Sequence, residues 1–126
     1  MNDYRHRAMN SNPDPKLGVA IDGDVQTVID DVRLAARLGF DYVEWNAGNP
    51  RFSQEYWTTQ VSTLRNTLSE HDIELCVHLP QIDILIGSPR EPLKEASVDV
   101  LKQYISLSAE LGAFRVSLHP LFSDND

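Results

Sequence analysis

Short apolar runs alternate along the chain with longer stretches in which apolar residues recur at helical spacing. Four short runs predict strands at residues 17–21, 41–46, 73–78 and 114–119. Each longer stretch between them predicts an amphipathic helix. The positions that define the three helical faces are Val25, Val28, Ile29, Val32, Ala36 and Leu38; then Tyr56 or Trp57, Val61, Leu64 and Leu68; then Leu93, Val100, Leu101, Tyr104, Ile105, Ser108 and Leu111.

The predicted helices have recognisable beginnings and ends. Asp24 and Ser53 are of the residue types that cap the first turn of a helix, and Pro92 suits the first turn of the third helix. Gly39 and Gly112 stand where a helix ends and a strand begins, as a C-terminal glycine does. These signals place each helix between two strands.

The resulting order, β-α-β-α-β-α-β, predicts an α/β fold with parallel strands and right-handed crossovers. Residues 34–43 are weakly similar to residues 107–116, two βα units later, which favours a barrel of repeated βα units. Residues 1–16 have no periodicity and are expected to form a flexible tail. Residues 17–126 are expected to form one structural unit.

Composition narrows the functional classes. The chain of 126 residues has a formal net charge of −8 and a single cysteine, so an internal disulfide is excluded and a nucleic-acid partner is disfavoured. No apolar run reaches the roughly 18 residues that a membrane span needs, and no secretory signal is recognisable at the N-terminus. We therefore expect a cytoplasmic protein without a membrane partner.

Candidate chemistry lies where the predicted strands end, because sites in parallel α/β folds form at the carboxyl ends of strands. Asp22, Glu44, Asn46, His78 and His119 occupy these positions. The two histidines are candidates for binding a metal, polarising a substrate oxygen or transferring a proton, with a structural role as the alternative. Glu44 is a candidate acid, base or hydroxyl-binding group, and the alternative is a solvated strand end.

Other polar residues have simpler explanations. Cys76 is expected to be a small buried residue, since no base beside it is apparent. His71 falls at a helix end, where an imidazolium suits the dipole, and His6 falls in the tail. Asp83 and Ser88, in the long loop after the third strand, are candidates for capping the next turn or for touching substrate.

Several motifs in the second half of the chain resemble those of one superfamily. They are His78-Leu79-Pro80, Ile84-Leu85-Ile86-Gly87-Ser88-Pro89, Glu95-Ala96-Ser97-Val98, Leu111-Gly112-Ala113 and Val116-Ser117-Leu118-His119-Pro120, with Gly39-Phe40-Asp41-Tyr42-Val43-Glu44 before them. Together they resemble the xylose-isomerase-like TIM-barrel superfamily. That superfamily includes sugar phosphate isomerases and epimerases and the zinc apurinic-site endonucleases.

The resemblance implies a partial (βα)8 TIM barrel of about three βα units plus a fourth parallel strand, the N-terminal half of such a barrel. It implies a portion of a metal-dependent sugar or sugar phosphate isomerase or epimerase that transfers a proton through an enediolate. The resemblance implies that the complete barrel binds a divalent metal (Mn, Mg, Co or Zn), most of whose ligands come from later strands. This chain alone is therefore not required to bind the metal. We therefore expect the chain alone to be inactive, with Glu44, Asn46, His78 and His119 contacting substrate.

Two alternatives remain open. In a zinc apurinic-site endonuclease, His78 and His119 would match zinc ligands, but Pro120-Leu121 stands where those enzymes usually have Pro-Gly. The acidic charge also disfavours a DNA partner. The other alternative is a non-catalytic, truncated module. The expected partners are a small sugar or sugar phosphate, and either a second copy of the chain or a complementary C-terminal half, because open strand edges favour pairing.

Overall fold

Four strands and three helices alternate in the computed structural model, which describes residues 15–22, 25–48 and 54–119. The elements are β1 (Gly18–Ile21), α1 (Val25–Arg37), β2 (Tyr42–Asn46), α2 (Gln54–Glu70), β3 (Glu74–His78), α3 (Glu91–Glu110) and β4 (Arg115–Ser117). The predicted caps Asp24 and Ser53, most of the predicted tail with His6, and the side chains of Tyr56 and Trp57 lie outside the described residues.

All neighbouring strands pair in parallel, in the order β1-β2-β3-β4. One row across the sheet runs from Ile21 through Trp45 and Val77 to Val116, so each successive strand stands beside the previous one. This sequential parallel sheet with helical crossovers confirms the predicted α/β fold and its partial TIM-barrel architecture.

The hydrophobic core lies between the helices and one face of the sheet. Val43, Trp45, Leu75 and Val77 alternate with more polar neighbours along β2 and β3 and are almost completely buried. This burial is the main stabilising contribution of the fold. The helix residues that complete the core are Val28, Ile29, Val32, Ala35, Leu64, Leu68 and Leu101.

Two glycines end helices as the sequence predicts. Gly39 after α1 and Gly112 after α3 have φ angles of +85° and +74°, in the left-handed region that residues with a Cβ avoid. In both turns the glycine N–H and the next N–H donate back to carbonyls in the last turn of the helix. The chain thereby reverses into the next strand within a few residues.

Two details of the sequence prediction are wrong. The fourth strand was predicted over 114–119 but spans only Arg115–Ser117, because β4 has a paired neighbour on one side alone. Leu38, Leu93 and Ile105 were counted among the apolar positions of the predicted helix faces but are 67%, 43% and 47% exposed. Within the described ranges, neighbouring residues cover these side chains only in part.

None of the helices within the described part of the chain is both long and apolar enough to cross a membrane.

Candidate functional site

The candidate site lies on the face of the sheet opposite the helices, which is the inner face. Because side chains alternate along a strand, the burial of Val43 and Trp45 against the helices puts Glu44 and Asn46 on the inner face. The parallel register sets Glu44 beside Cys76 and Asn46 beside His78. Three of the four predicted site residues therefore share one face in two adjacent rows.

The fourth predicted residue completes a pair of histidines at the carboxyl end of the sheet. The ring centroids of His78 and His119 lie 4.8 Å apart, with 56° between the ring planes. His78 ends β3, and His119 follows β4 by two residues, which brings the two rings together from neighbouring strands. The short β4 thus still delivers His119 to the position that the sequence suggested.

The tautomer of His78 follows from its backbone contact. The Nδ1 atom lies 3.0 Å from the carbonyl oxygen of Leu79. A carbonyl oxygen can only accept, so Nδ1 carries the proton and donates this hydrogen bond. In the neutral ring Nε2 then holds the lone pair. His78 consequently offers one hydrogen-bond acceptor, or one metal ligand, to a bound molecule.

A second polar pair lies one row deeper on the inner face. Cys76 is 2% exposed, and its thiol donates to Oε2 of Glu44 across 3.7 Å. Burial raises the pKa of Cys76 above its ordinary value, and the negative charge of Glu44 raises it further, while Arg115 and Ser117 oppose this shift in part. The prediction of a buried cysteine is confirmed, and its protonated thiol is a poor nucleophile.

The loops after β2 and β3 touch beside the histidine pair. The Ala47 N–H donates to the carbonyl of His78 across 3.1 Å, and the Gly48 N–H makes a long 3.4 Å contact with Oδ1 of Asn46. A Cβ on Gly48 would lie only 2.7 Å from the Cα of Pro80. The absence of a side chain at position 48 therefore allows the two loops to approach each other closely.

One buried serine, which the sequence analysis did not single out, holds the loop after β3. Ser97 Oγ accepts a 2.8 Å hydrogen bond from the Leu85 N–H and donates to the Leu93 carbonyl at the same distance. Its place on the same helix face as Leu93, four residues earlier, and Leu101, four residues later, was the signal available. Ser88 makes a local turn instead, its Oγ accepting from the Arg90 N–H across 3.1 Å.

The remaining candidates lie apart from the histidine pair. Asp22, exposed after β1, lines a groove on the other side of the sheet together with residues of α1. His71 lies exposed just after α2. Asp83 adopts a left-handed φ of +60° within the loop after β3.

The residues present do not fit a complete divalent-metal site. Within the described ranges, no group of three or more His, Cys, Asp or Glu side chains converges closely enough to hold a metal ion. His78 and His119 supply at most two nitrogen ligands, and a structural or catalytic zinc ion takes three or four from the protein.

A family model described as xylose isomerase-like TIM barrel matches residues 32–126, about three quarters of the chain, which includes β2 to β4 and all four predicted site residues. A search of curated proteins finds no significant match.

Proposed function

The chain belongs to the xylose isomerase-like TIM barrel family, and from this premise we propose that it is the N-terminal, substrate-binding portion of a sugar or sugar phosphate isomerase or epimerase. The observation that carries the proposal is the histidine pair, whose rings meet 4.8 Å apart at the carboxyl end of the parallel strands. Ligand sites in barrels of this kind form at that end. A cytoplasmic location, where sugar phosphates are metabolised, is part of the proposal.

The chemistry of the inner face suits a polyhydroxylated ligand. His78 offers Nε2 as an acceptor, Asn46 offers an amide that both donates and accepts, and Glu44 offers carboxylate oxygens. A sugar presents hydroxyl groups that donate and accept at adjacent carbons. Three half-buried polar side chains in neighbouring rows can therefore bind several hydroxyls of one sugar at once.

The proposed reaction moves a proton between adjacent carbons of the sugar through an enediolate. Such a step needs a base near the carbon and a group that stabilises the charge on oxygen. At the histidine pair and on the inner face beside it, Glu44, His78 and His119 are side chains that can accept a proton. The divalent ion (Mn, Mg, Co or Zn) that the family uses lacks a fitting ligand set here, so we expect the 126-residue chain to bind sugar with little or no turnover.

The test is a sugar titration followed on the imidazole resonances by NMR. Xylose and xylulose 5-phosphate are the probes, and the resonances are assigned with His78→Gln and His119→Gln. We expect saturable shifts of the His78 and His119 signals and weaker binding in either variant. His71→Gln is the matched control, since His71 lies exposed beyond α2 and should not respond. The absence of a saturable shift with either sugar would refute the proposal.

A zinc-dependent phosphodiesterase of the apurinic-site endonuclease type is the second candidate, favoured by the same two histidines. The free Nε2 of His78 next to His119 is a suitable beginning of a zinc site. The net charge of −8 opposes binding to a DNA backbone. Calorimetric titration with Zn²⁺ distinguishes the candidates: binding that His119→Gln abolishes, together with cleavage of abasic DNA, would favour the nuclease.

A further inference from the structure

We propose that Cys76 is a positioning residue for Glu44. Its thiol proton holds one carboxylate oxygen, Oε2, so that Glu44 contacts a bound sugar through Oε1 and recognises one hydroxyl rather than two adjacent ones. This inference rests on the proposed function, because it concerns how the same inner face recognises its ligand.

The contact is set by the two middle strands of the sheet. Glu44 on β2 and Cys76 on β3 are direct partners in the parallel register, and each of these strands is paired on both sides. Register partners share a face of the sheet, so both side chains lie on the inner face, whereas Val43 and Val77 pack in the core. The backbone pairing therefore determines that a thiol stands beside the Glu44 carboxylate.

The thiol proton has a defined acceptor and is shielded from water. Cys76 Sγ lies 3.7 Å from Oε2 of Glu44, and Cys76 is almost completely buried, so water does not compete for this proton. Burial raises the pKa of Cys76, and the charge of Glu44 raises it further, so the thiol stays protonated and remains a donor. A thiol is a weak donor, but a charged acceptor strengthens its hydrogen bond.

The other oxygen of Glu44 remains for a ligand. Glu44 is half-buried, and within the described ranges it forms no ion pair and no hydrogen bond through Oε1. Asn46 and His78 lie on the same face, one row closer to the carboxyl end of the strands. Oε1 can therefore accept a hydrogen bond from a sugar that also contacts this row.

Occupation of Oε2 limits what Glu44 can recognise. A carboxylate with both oxygens available can accept hydrogen bonds from hydroxyls on two adjacent carbons of a sugar. In Glu44 the contact with a buried thiol directs Oε2 into the protein, and the two oxygens of a carboxylate point in different directions. Glu44 therefore selects for one hydroxyl, and the fixed carboxylate binds it with less loss of side-chain freedom.

Infrared spectroscopy tests the contact itself. The chain has a single cysteine, so the S–H stretching band, which lies in a region free of other protein absorption, reports on Cys76 alone. A hydrogen bond to a carboxylate lowers the frequency of this band, so Glu44→Gln should raise it. Val77→Ala is the matched control, because Val77 is a buried neighbour of Cys76 that packs in the core, and it should leave the band in place. An unchanged band in Glu44→Gln would overturn the proposal.

Sugar affinity tests the positioning, with xylose as the probe in the NMR titration. Cys76→Ala should weaken binding by about threefold to tenfold, the effect of one hydrogen bond. Cys76→Ser keeps a donor and should recover part of this loss. In a Glu44→Ala background, Cys76→Ala should have no further effect, because no carboxylate remains to be positioned. Equal losses in both backgrounds would show that Cys76 acts only through the general structure, and would overturn the proposal.

Circular dichroism confirms that each variant is folded, and Val77→Ala should leave the affinity for xylose unchanged. If Cys76→Ala does not fold, Cys76→Ser in the two Glu44 backgrounds and the infrared band decide the question. Wild type without saturable binding of xylose or xylulose 5-phosphate would overturn the proposed function and this inference with it. Saturable binding that Cys76→Ala leaves unchanged would overturn this inference alone.

Deoxy analogues of xylose test the recognition of one hydroxyl. For a single position, the loss of affinity on removing the hydroxyl should be large in wild type and absent in Glu44→Ala. The other deoxy analogues should lose the same affinity in both proteins. Coupling of two adjacent hydroxyls to Glu44 in wild type would overturn the assignment of Oε2 to the thiol.

Discussion

The sulfur of Cys76 lies 3.7 Å from Oε2 of Glu44, on two neighbouring strands and on the face of the sheet away from the helices. The thiol is buried, so its proton is retained and the carboxylate has a fixed donor. Glu44 is thereby held in position one row below the His78–His119 pair. The inner face thus carries contacts between polar side chains, whereas the opposite face of the same sheet is apolar and covered by the helices.

The first prediction concerns the ionisation of that thiol. Burial and then the charge of Glu44 raise the pKa of Cys76, and Arg115 opposes the shift. Glu44→Gln should therefore lower the pKa, and Arg115→Gln should raise it further. The measurement is the ultraviolet absorbance of the thiolate against pH, which needs no reagent to reach the buried sulfur. Titration midpoints of the Cys76 thiol that move in the same direction in both variants would contradict this account.

The same raised pKa predicts how stability depends on pH. Above the pKa of the unfolded thiol, the unfolded chain releases the proton while folded Cys76 keeps it. The contribution of Cys76 is therefore fully present below the unfolded pKa and is lost as pH rises toward the folded value. Urea unfolding should show a steeper loss of stability in this alkaline range for wild type than for Cys76→Val.

Local signals in the sequence were sufficient for most of the architecture. The helix ends at Gly39 and Gly112 were predictable because the residue after a helix often adopts a left-handed conformation. Glycine adopts that conformation most easily, so a glycine after a helical pattern marks the end of the helix. Strand alternation explains why Val43 and Trp45 of β2 are buried while Glu44 and Asn46 lie on the other face. His78 and His119 were predicted at the ends of successive parallel strands, and the structure shows that their rings lie 4.8 Å apart.

The sequence prediction fails for side chains whose burial depends on which other element packs against their helix. Leu38 and Ile105 fit the helical period of an inward face, yet neighbouring residues in the described part of the chain cover them only in part. Periodicity reports which residues share a helix face and not what packs against it. The contact between Cys76 and Glu44 was likewise beyond the sequence, because it depends on the register of β2 against β3.

The buried serines of α3 give the next prediction. Ser97→Ala removes the acceptor of the Leu85 N–H and should destabilise the protein by about 1–3 kcal/mol. Ser108→Ala is the matched control on the same helix, because Ser108 Oγ only donates to the Tyr104 carbonyl of its own helix. Hydrogen exchange should show faster exchange of the Leu85 amide in Ser97→Ala alone. Equal protection of that amide in both variants would count against an anchoring role for Ser97.

The difference between covered and uncovered leucines can be measured directly. Leu64 on α2 is 1% exposed, so Leu64→Ala leaves a cavity and should lower the free energy of unfolding by about 2–5 kcal/mol. Leu93 on α3 is 43% exposed, and Leu93→Ala should change the free energy of unfolding by less than about 1 kcal/mol. Chemical denaturation of both variants tests the assignment, and a large loss from Leu93→Ala would show that its side chain is covered in solution.

Gly39 and Gly48 are required to be glycine for two different structural reasons. Gly39 has open space around its Cα but a φ of +85°, so Gly39→Ala should cost about 1–2 kcal/mol through backbone strain and leave the site unchanged. Gly48 has no positive φ, but a Cβ there would lie 2.7 Å from the backbone of Pro80. Gly48→Ala must therefore push the loops after β2 and β3 apart, at a cost of about 1–3 kcal/mol.

The NMR signals of the site distinguish these two effects. Separation of the loops acts on Asn46 and His78, which precede them, so Gly48→Ala should shift the imidazole resonances of His78 and weaken sugar binding. Gly39→Ala should lower stability by a similar amount without moving those resonances, because its turn lies before β2, at the opposite end of that strand from Asn46. If both variants leave the His78 signals unchanged, the close approach of Gly48 to Pro80 does not position the site.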